Sequence, residues 1–358
     1  MTEPLAEPLA EPFAEPLADA IERIRQTLRP TPLLRLPDDR IELYAKLEHM
    51  NPTGSVKDRS ALWILTQAIA RGEITRGTTV VESSSGNFAV ALATFCRWLG
   101  LPFVPVIDLN VTAGNENTLR ALCARVEKIV APANGGLLQA RLARIEELRR
   151  ELPAVYWPNQ HQNRDAMAAH YRFTAGEICE SLPRLDYIFI GVGTGGTIAG
   201  VSRRIKEHYP AATVVAVDAE GSVSFGGASR RRYIPGMGSA IVPALISEAR
   251  IDELVVVPER EAVRGCQELL ARYGLFAGGS TGSVYAAIRH YFAGHTGAAR
   301  PVVLFLCADR GTTYLDTVYN PAWVEATLGD APPAPPRREP LPAAAPAVST
   351  PGDPRSTS

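Results

Sequence analysis

Cysteine is scarce in this chain and shows no pattern of pairing. The five cysteines, Cys96, Cys123, Cys179, Cys266 and Cys307, form no CxxC pair. An odd count at wide spacing gives no disulfide framework, so buried reduced thiols are expected. The six histidines form no HExxH and no zinc-type pairing with cysteine, so a metal site has no support. An excess of charge of either sign is also lacking. The formal net charge is -1, which argues against a protein that coats nucleic acid or a membrane surface. No apolar run reaches the roughly 20 residues of a membrane span. The N-terminus is acidic and proline-rich, unlike a signal peptide, so a cytoplasmic location is expected. That leaves small molecules as the expected partners, with no nucleic acid and no membrane.

What is present is apolar material and glycine-rich loops. Hydrophobic residues make up 46% of the 358 residues, enough core for two domains. Residues 3–18 repeat EPLA, EPLA, EPFA, EPLA. Proline at every fourth position blocks a continuous helix, so residues 1–16 are expected to be a disordered arm. The Pro/Ala-rich residues 329–358 are expected to be a disordered tail. The folded body then runs from about Leu17 to Leu328.

Within that body, strand-like runs alternate with helical ones. Strands are expected at Leu43–Lys46, Thr78–Val81, Phe103–Ile107, Val126–Val130, Ala154–Trp157, Tyr187–Ile190, Thr213–Val217, Leu254–Val257 and Val302–Leu306. Helices are expected at Asn87–Leu99, Leu137–Arg150, Asp165–Glu180, Thr197–His208 and Glu261–Tyr273. Strands rich in Val and Ile suit parallel sheets covered on both faces. The class is therefore α/β, with two open twisted domains and a break near residues 157–165. Residues 43–157 are expected to form the smaller unit, and 17–42 with 158–328 the larger. Ligands in such folds bind at the carboxyl ends of strands.

Four loops carry the chemistry. Lys57 closes the turn sequence Asn51-Pro52-Thr53-Gly54-Ser55-Val56 and opens a helix. A lysine in the first turn opposes the helix dipole. The positive potential there lowers its pKa, as an imine-forming lysine requires. The plain alternative is a solvated surface lysine. Ser83-Ser84-Ser85-Gly86-Asn87 follows a strand and starts a helix whose free N–H groups suit a carboxylate or phosphate; an ordinary N-cap loop reads the same way. Gly191-Val192-Gly193-Thr194-Gly195-Gly196 matches the dinucleotide fingerprint, with Asp218 ending the next strand. Against a dinucleotide, Thr194 and Thr197 add hydroxyls suited to a terminal monophosphate, and such a site leaves Lys57 and the serine loop unexplained. Finally, Gly278-Gly279-Ser280-Thr281-Gly282-Ser283 opens another helix. Ser280 can place a neutral hydroxyl where a carboxylate would otherwise protonate a pyridine ring. Lysine, anion loop and phosphate cradle together point to pyridoxal 5′-phosphate, whose chemistry the protein orients and tunes.

In this order the motifs resemble the fold-type II pyridoxal phosphate enzymes of the cysteine synthase and cystathionine β-synthase family. The resemblance runs from Thr31-Pro32-Leu33 and Lys46-Leu47-Glu48 through Asn51–Arg59, Ser85-Gly86-Asn87, Gly193–Thr197 and Gly279-Ser280-Thr281-Gly282. It implies a tryptophan synthase β-subunit-like fold with the cofactor in the interdomain cleft, and a homodimer. It implies that Lys57 links to the cofactor and acts in catalysis, and that Asn87 bonds the cofactor's 3′ oxygen. Gly193, Thr194, Gly195, Gly196 and Thr197 would hold its phosphate, and Ser280 its ring nitrogen. Ser84, Ser85, Gly86 and Gln160 would bind the substrate carboxylate. One departure is Asn163-Arg164-Asp165-Ala166-Met167, where the family usually has Asn-Pro-Ala-Asn-Pro. The segments Ser222–Gly226, Arg232–Ser239 and Asp309–Asp316 are closer to the branch that makes N-(2-amino-2-carboxyethyl)-L-glutamate from O-phospho-L-serine and L-glutamate. That branch supplies 2,3-diaminopropionate for siderophores and peptide antibiotics. For a phosphorylated donor, Arg230-Arg231-Arg232 offers cationic help, with Arg232 as the candidate substrate ligand; a solvated loop is the bland alternative. Cysteine or cystathionine synthesis, with sulfide or a thiol as nucleophile, stays open.

Overall fold

Short runs of Val, Ile and Phe become the central strands, and both of their faces are buried. In a computed structural model, residues 15–132, 136–297, 299–329 and 334–342 are described. Most of the EPLA arm and residues 343–358 lie outside them. The strands are β1 (Leu33–Leu36), β2 (Glu42–Lys46), β3 (Thr79–Glu82), β4 (Phe103–Asp108), β5 (Glu127–Ile129), β6 (Val155–Tyr156), β7 (Tyr187–Gly191), β8 (Thr213–Ala219), β9 (Glu253–Val257), β10 (Val302–Leu306) and β11 (Arg337–Glu339).

They form two sheets, one ordered β1-β2-β10-β7-β8-β9-β11 and one ordered β5-β4-β3-β6. The smaller sheet is parallel throughout. The larger is parallel from β2 to β9, with antiparallel β1 and β11 at its edges. Side-chain alternation explains the double coverage. Phe189, Val215, Val217, Val303 and Phe305 enter the core on one face of the larger sheet. Ile188, Ile190, Val214, Ala216 and Leu304 enter the core on the other.

Each of the nine expected strands coincides with an observed strand, with ends shifted by a residue or two. Three features differ. The expected start of the smaller unit at residue 43 falls inside β2, which pairs with β1 and β10 in the larger sheet. Part of the Pro/Ala-rich tail, Arg337–Glu339, adds an antiparallel edge strand to β9. Backbone pairing along an open edge needs no apolar side chains, so composition gave no warning of it. The helix expected over Asp165–Glu180 is broken by a π-type turn at His170–Thr174.

A buried ionic cluster fixes the helix that Lys57 opens (Lys57–Ala70) to the larger sheet. Arg59 Nε donates to Glu48 at 2.6 Å, and Arg59 Nη1 donates to Glu177 at 2.7 Å. Lys46, on β2, also reaches Glu177. Glu48 is fully buried, and the neighbouring Arg59 overrides desolvation to hold its carboxyl near 2, against an ordinary 4.5. This depressed pKa contributes stability that is present above about pH 4.5 and lost as pH falls towards about 2. Glu48→Ala leaves Arg59 buried without one of its two carboxylates. It is expected to cost about 3–5 kcal/mol, read by urea unfolding at neutral pH. A loss below 1 kcal/mol would show that the cluster contributes no more than a surface pair.

Candidate active site

The helix Lys57–Ala70 begins without a side-chain cap, and the loop before it is tied down from outside. Thr53 N donates to Asp58 Oδ2 at 2.6 Å. Gly54 has φ +93°, a left-handed conformation that favours glycine, and a side chain there would also press on Arg310. Val56 N donates to Ala308 O at 2.7 Å. Lys57 is thus held at the mouth of a cleft. Burial lowers its amine pKa, and Asp309 opposes that shift.

The cleft has a volume of about 300 Å³. Its wall includes Lys57 and the loop from Ser83 to Asn87, which leaves β3 of the smaller sheet. The opposite wall includes Gly191 to Gly195, Thr197 and Ser280, at the carboxyl end of β7 and the start of the helix Gly279–Tyr291. Gln160 also lines it and donates weakly to Ser83 O at 3.5 Å. Gly196 borders a smaller adjoining pocket beside Lys57, His170 and Thr197. The structure therefore brings all the expected residues together except Arg232.

Arg232 is not in the cleft wall. Its guanidinium donates to the carbonyl of Gly221 and packs against Gly238, so it closes a loop. Arg230 and Arg231 are exposed. The arginine that does line the cleft is Arg141, from the helix Leu137–Glu151. Its Nε pairs with Asp108 at 3.1 Å, and its side chain is only 15% exposed. Burial lowers its pKa, and the charges of Asp108 and Glu82 oppose this. Beside it His161 is pushed down to about 4, by burial first and then by Arg141 and Lys57, and is therefore neutral at pH 7.

The glycine loop expected to hold phosphate has an open backbone at a helix start. Gly195 has φ +87° and caps the helix Gly196–His208 without a side chain. A Cβ there would lie 3.0 Å from the Ile246 nitrogen, and one on Gly193 would lie 3.3 Å from Gly236 O. Backbone N–H groups at a helix start with no side chain in the way make an anion site. His170 receives or donates at Thr197 Oγ1 (3.2 Å) and Thr174 Oγ1 (3.0 Å). Burial pushes its imidazole down to about 3, so it orients Thr197 as a neutral ring. Gly195→Val is expected to weaken cofactor retention tenfold or more, about 1.4 kcal/mol, because the new side chain meets Ile246 in a left-handed backbone. Equilibrium dialysis checks this, and unchanged retention would count against the cradle.

Pyridoxal phosphate fits these residues. A monophosphate cradle, a neutral serine and a partly buried lysine converge on one cleft, and Ser83 Oγ within it is buried with no partner. Two residues escaped the sequence reading. Arg141 sits in a helix so rich in Arg and Glu that it reads as a solvated face. Asp309 follows β10 in a segment singled out only for its resemblance to one branch, with no role for its carboxylate.

Comparison with known proteins agrees with the site. Residues 24–308 match the family described as pyridoxal-phosphate dependent enzyme. The chain belongs to that family, and it is a pyridoxal phosphate enzyme of the fold-type II, β-replacement class. Within the class it is similar to N-(2-amino-2-carboxyethyl)-L-glutamate synthase of Ralstonia nicotianae, at 41% identity over 82% of this chain and 87% of that protein. It is 42% identical to the synthase of the same name from Cupriavidus metallidurans, over 79% of this chain and 84% of that one. Among solved structures it resembles the O-acetylserine dependent cystathionine β-synthase of Helicobacter pylori, with TM-score 0.75 and 29% identity over 86% of this chain and 99% of that one. An O-ureido-L-serine synthase superposes equally, with TM-score 0.75 and 29% identity over 89% of this chain and 100% of that one.

Among the described residues no helix is long and apolar enough to cross a membrane. No cluster of His, Cys, Asp and Glu among them could hold a metal ion.

Proposed function

We propose that the protein replaces the β-substituent of O-phospho-L-serine with the α-amine of L-glutamate. The products are N-(2-amino-2-carboxyethyl)-L-glutamate and phosphate. The observation that carries this reading is the 41–42% identity to two synthases of that name over most of the chain. Arg141 in the cleft supplies a chemical reason, since a phosphate donor and a dicarboxylate acceptor both need a cation.

Pyridoxal phosphate, when bound, supplies the electron sink that makes Cα acidic and lets the β-substituent leave. The protein's own groups do the rest. The loop Ser84-Ser85-Gly86 presents a helix start to the donor's α-carboxylate. Lys57, with an amine made less basic by burial, takes the Cα proton and later returns it. Arg141 holds the phosphate as the Cβ–O bond breaks. The Cβ–N bond then forms, and the glutamate amine gives up a proton. Ser280, a neutral hydroxyl, limits ring protonation and so favours replacement over transamination. The product class suits supply of 2,3-diaminopropionate to a siderophore or peptide antibiotic. The family resemblance supports a cytoplasmic homodimer, with the unit built on the smaller sheet closing over the substrate.

The reading is tested by the rate of phosphate release from O-phospho-L-serine. Glutamate should accelerate it and appear in the product. Equal or greater acceleration by sulfide, with none by glutamate, would move the protein to the cysteine synthase branch that its 29% identical structural neighbours make the second choice.

A further inference from the structure

We propose that Asp309 is a positioning residue of this cleft, fixing the amide of Asn87 and placing a carboxylate in the wall that Lys57 shares. The proposal rests on the reading of Lys57 as the cofactor-bearing lysine. Asp309 lines the cleft and is 3% exposed. Its Oδ2 accepts from Asn87 Nδ2 at 2.7 Å and from Tyr314 Oη at 2.6 Å. Its Oδ1 is buried with no partner. A side chain on Gly278 would collide with that oxygen, so glycine is needed where the carboxylate lies.

The backbone around it is equally specific. Asp309 forms an antiparallel bridge with Ser55, two residues before Lys57. Gly278 N donates to Asp309 O at 3.1 Å, two residues before Ser280. The carboxylate thus sits where three site-bearing elements meet, those of Lys57, Asn87 and Ser280.

Two consequences follow from the chemistry of the groups. An ionised carboxylate only accepts hydrogen bonds. Asp309 therefore requires the nitrogen of Asn87, not its oxygen, on its side, and leaves the second N–H of that amide for the cleft. A buried carboxylate with an unused oxygen is costly, and a simple spacer would be served by asparagine. The charge is therefore the feature to explain, and Lys57 is its counterpart.

Apart from the Arg141 cation, which lines the same cleft, the other titratable groups facing this pair are neutral at pH 7. Burial raises the thiols of Cys266 and Cys307, beside Asp309. Burial also raises the Tyr314 phenol. His161 and His170, which face Lys57, are held at about 4 and about 3. Burial raises the Asp309 carboxyl, and Tyr314, Asn87 and Lys57 oppose that shift. Asp309 is then the acidic group acting on Lys57, and it favours a proton on the Lys57 nitrogen.

The test is a pH titration of the visible absorption of the full-length holoenzyme. In Asp309→Asn the amide oxygen can still accept from Asn87 and Tyr314, so the shape is kept and the charge is lost. The pH at which the Lys57-linked chromophore gives up its proton should fall by about one unit or more. Asp309→Ser also removes the charge in a smaller side chain and should shift the midpoint the same way. A midpoint unchanged in a cofactor-loaded variant would overturn the proposal. So would two folded variants that hold no cofactor, because Asp309 would then serve binding and not the proton. Failure of the underlying cofactor reading looks different: the wild-type protein itself would show no lysine-linked chromophore, or borohydride would fix the cofactor to another lysine.

Discussion

Lys57→Ala is expected to lower the overall rate by roughly 10²–10⁴-fold and to abolish covalent capture of the cofactor by borohydride. Under the proposed mechanism the lysine does two things: it bonds the cofactor, and it carries the Cα proton out and back. Its place at the first residue of an uncapped helix, partly buried in the cleft, makes its amine less basic than a surface lysine. The gross fold should survive, because the neighbouring Arg59 and Asp58 anchor the helix through Glu48, Glu177 and Thr53. Peptide mapping after reduction of the wild-type protein locates the modified residue. A variant that keeps full activity, or a modified lysine elsewhere, would refute the assignment.

Arg141→Ala should reduce kcat/KM for O-phospho-L-serine about tenfold to a hundredfold. This corresponds to about 1.5–3 kcal/mol for one lost charge-assisted hydrogen bond. Cofactor retention should change little. Asp108, 4% exposed, loses its cation in this variant but keeps the Asn110 N–H at 2.9 Å, so some stability is lost as well. Arg141→Lys keeps the charge and loses the planar fork, and should fall between the two. Arg232→Ala is the informative comparison. Its guanidinium serves the Gly221 carbonyl outside the cleft wall, so its effect on donor kinetics should be the smaller. The reverse order of effects would restore the arginine run as the phosphate site.

How much of this was legible in the sequence depends on the kind of signal. Strands such as Tyr187–Gly191 and Val302–Leu306 are apolar on both faces because both faces are covered, and a dense run of Val, Ile and Phe announces that directly. The cofactor loops were legible because glycine and small hydroxyl residues must lie next to one another to make an anion site. Lys57, Asn87, Gly195 and Ser280 meet at one cleft for that reason. Arg141 and Asp309 were hidden because their roles depend on long-range placement. Arg141 looks like any other cation on a helix that also carries Arg144, Arg149 and Arg150. Asp309 acquires a purpose only when Asn87 arrives from a distant segment to join Tyr314 of the following turn at its carboxylate. Arg232 misled for the opposite reason: a run of three arginines is conspicuous in sequence, yet two are exposed and the third closes a loop. The edge strand Arg337–Glu339 is held by backbone pairing and by arginine contacts to Glu220, Glu253 and the Tyr291 ring, which leave no apolar trace.

Under the proposed function, this cleft joins the serine skeleton of a phosphorylated donor to the amine of glutamate. Mass spectrometry of the product formed from O-phospho-L-serine and ¹⁵N-labelled L-glutamate tests it most directly. One product is expected that contains both carbon skeletons and retains the label, formed in step with the phosphate released. Absence of that product, with cysteine formed instead from O-acetyl-L-serine and sulfide, would contradict it.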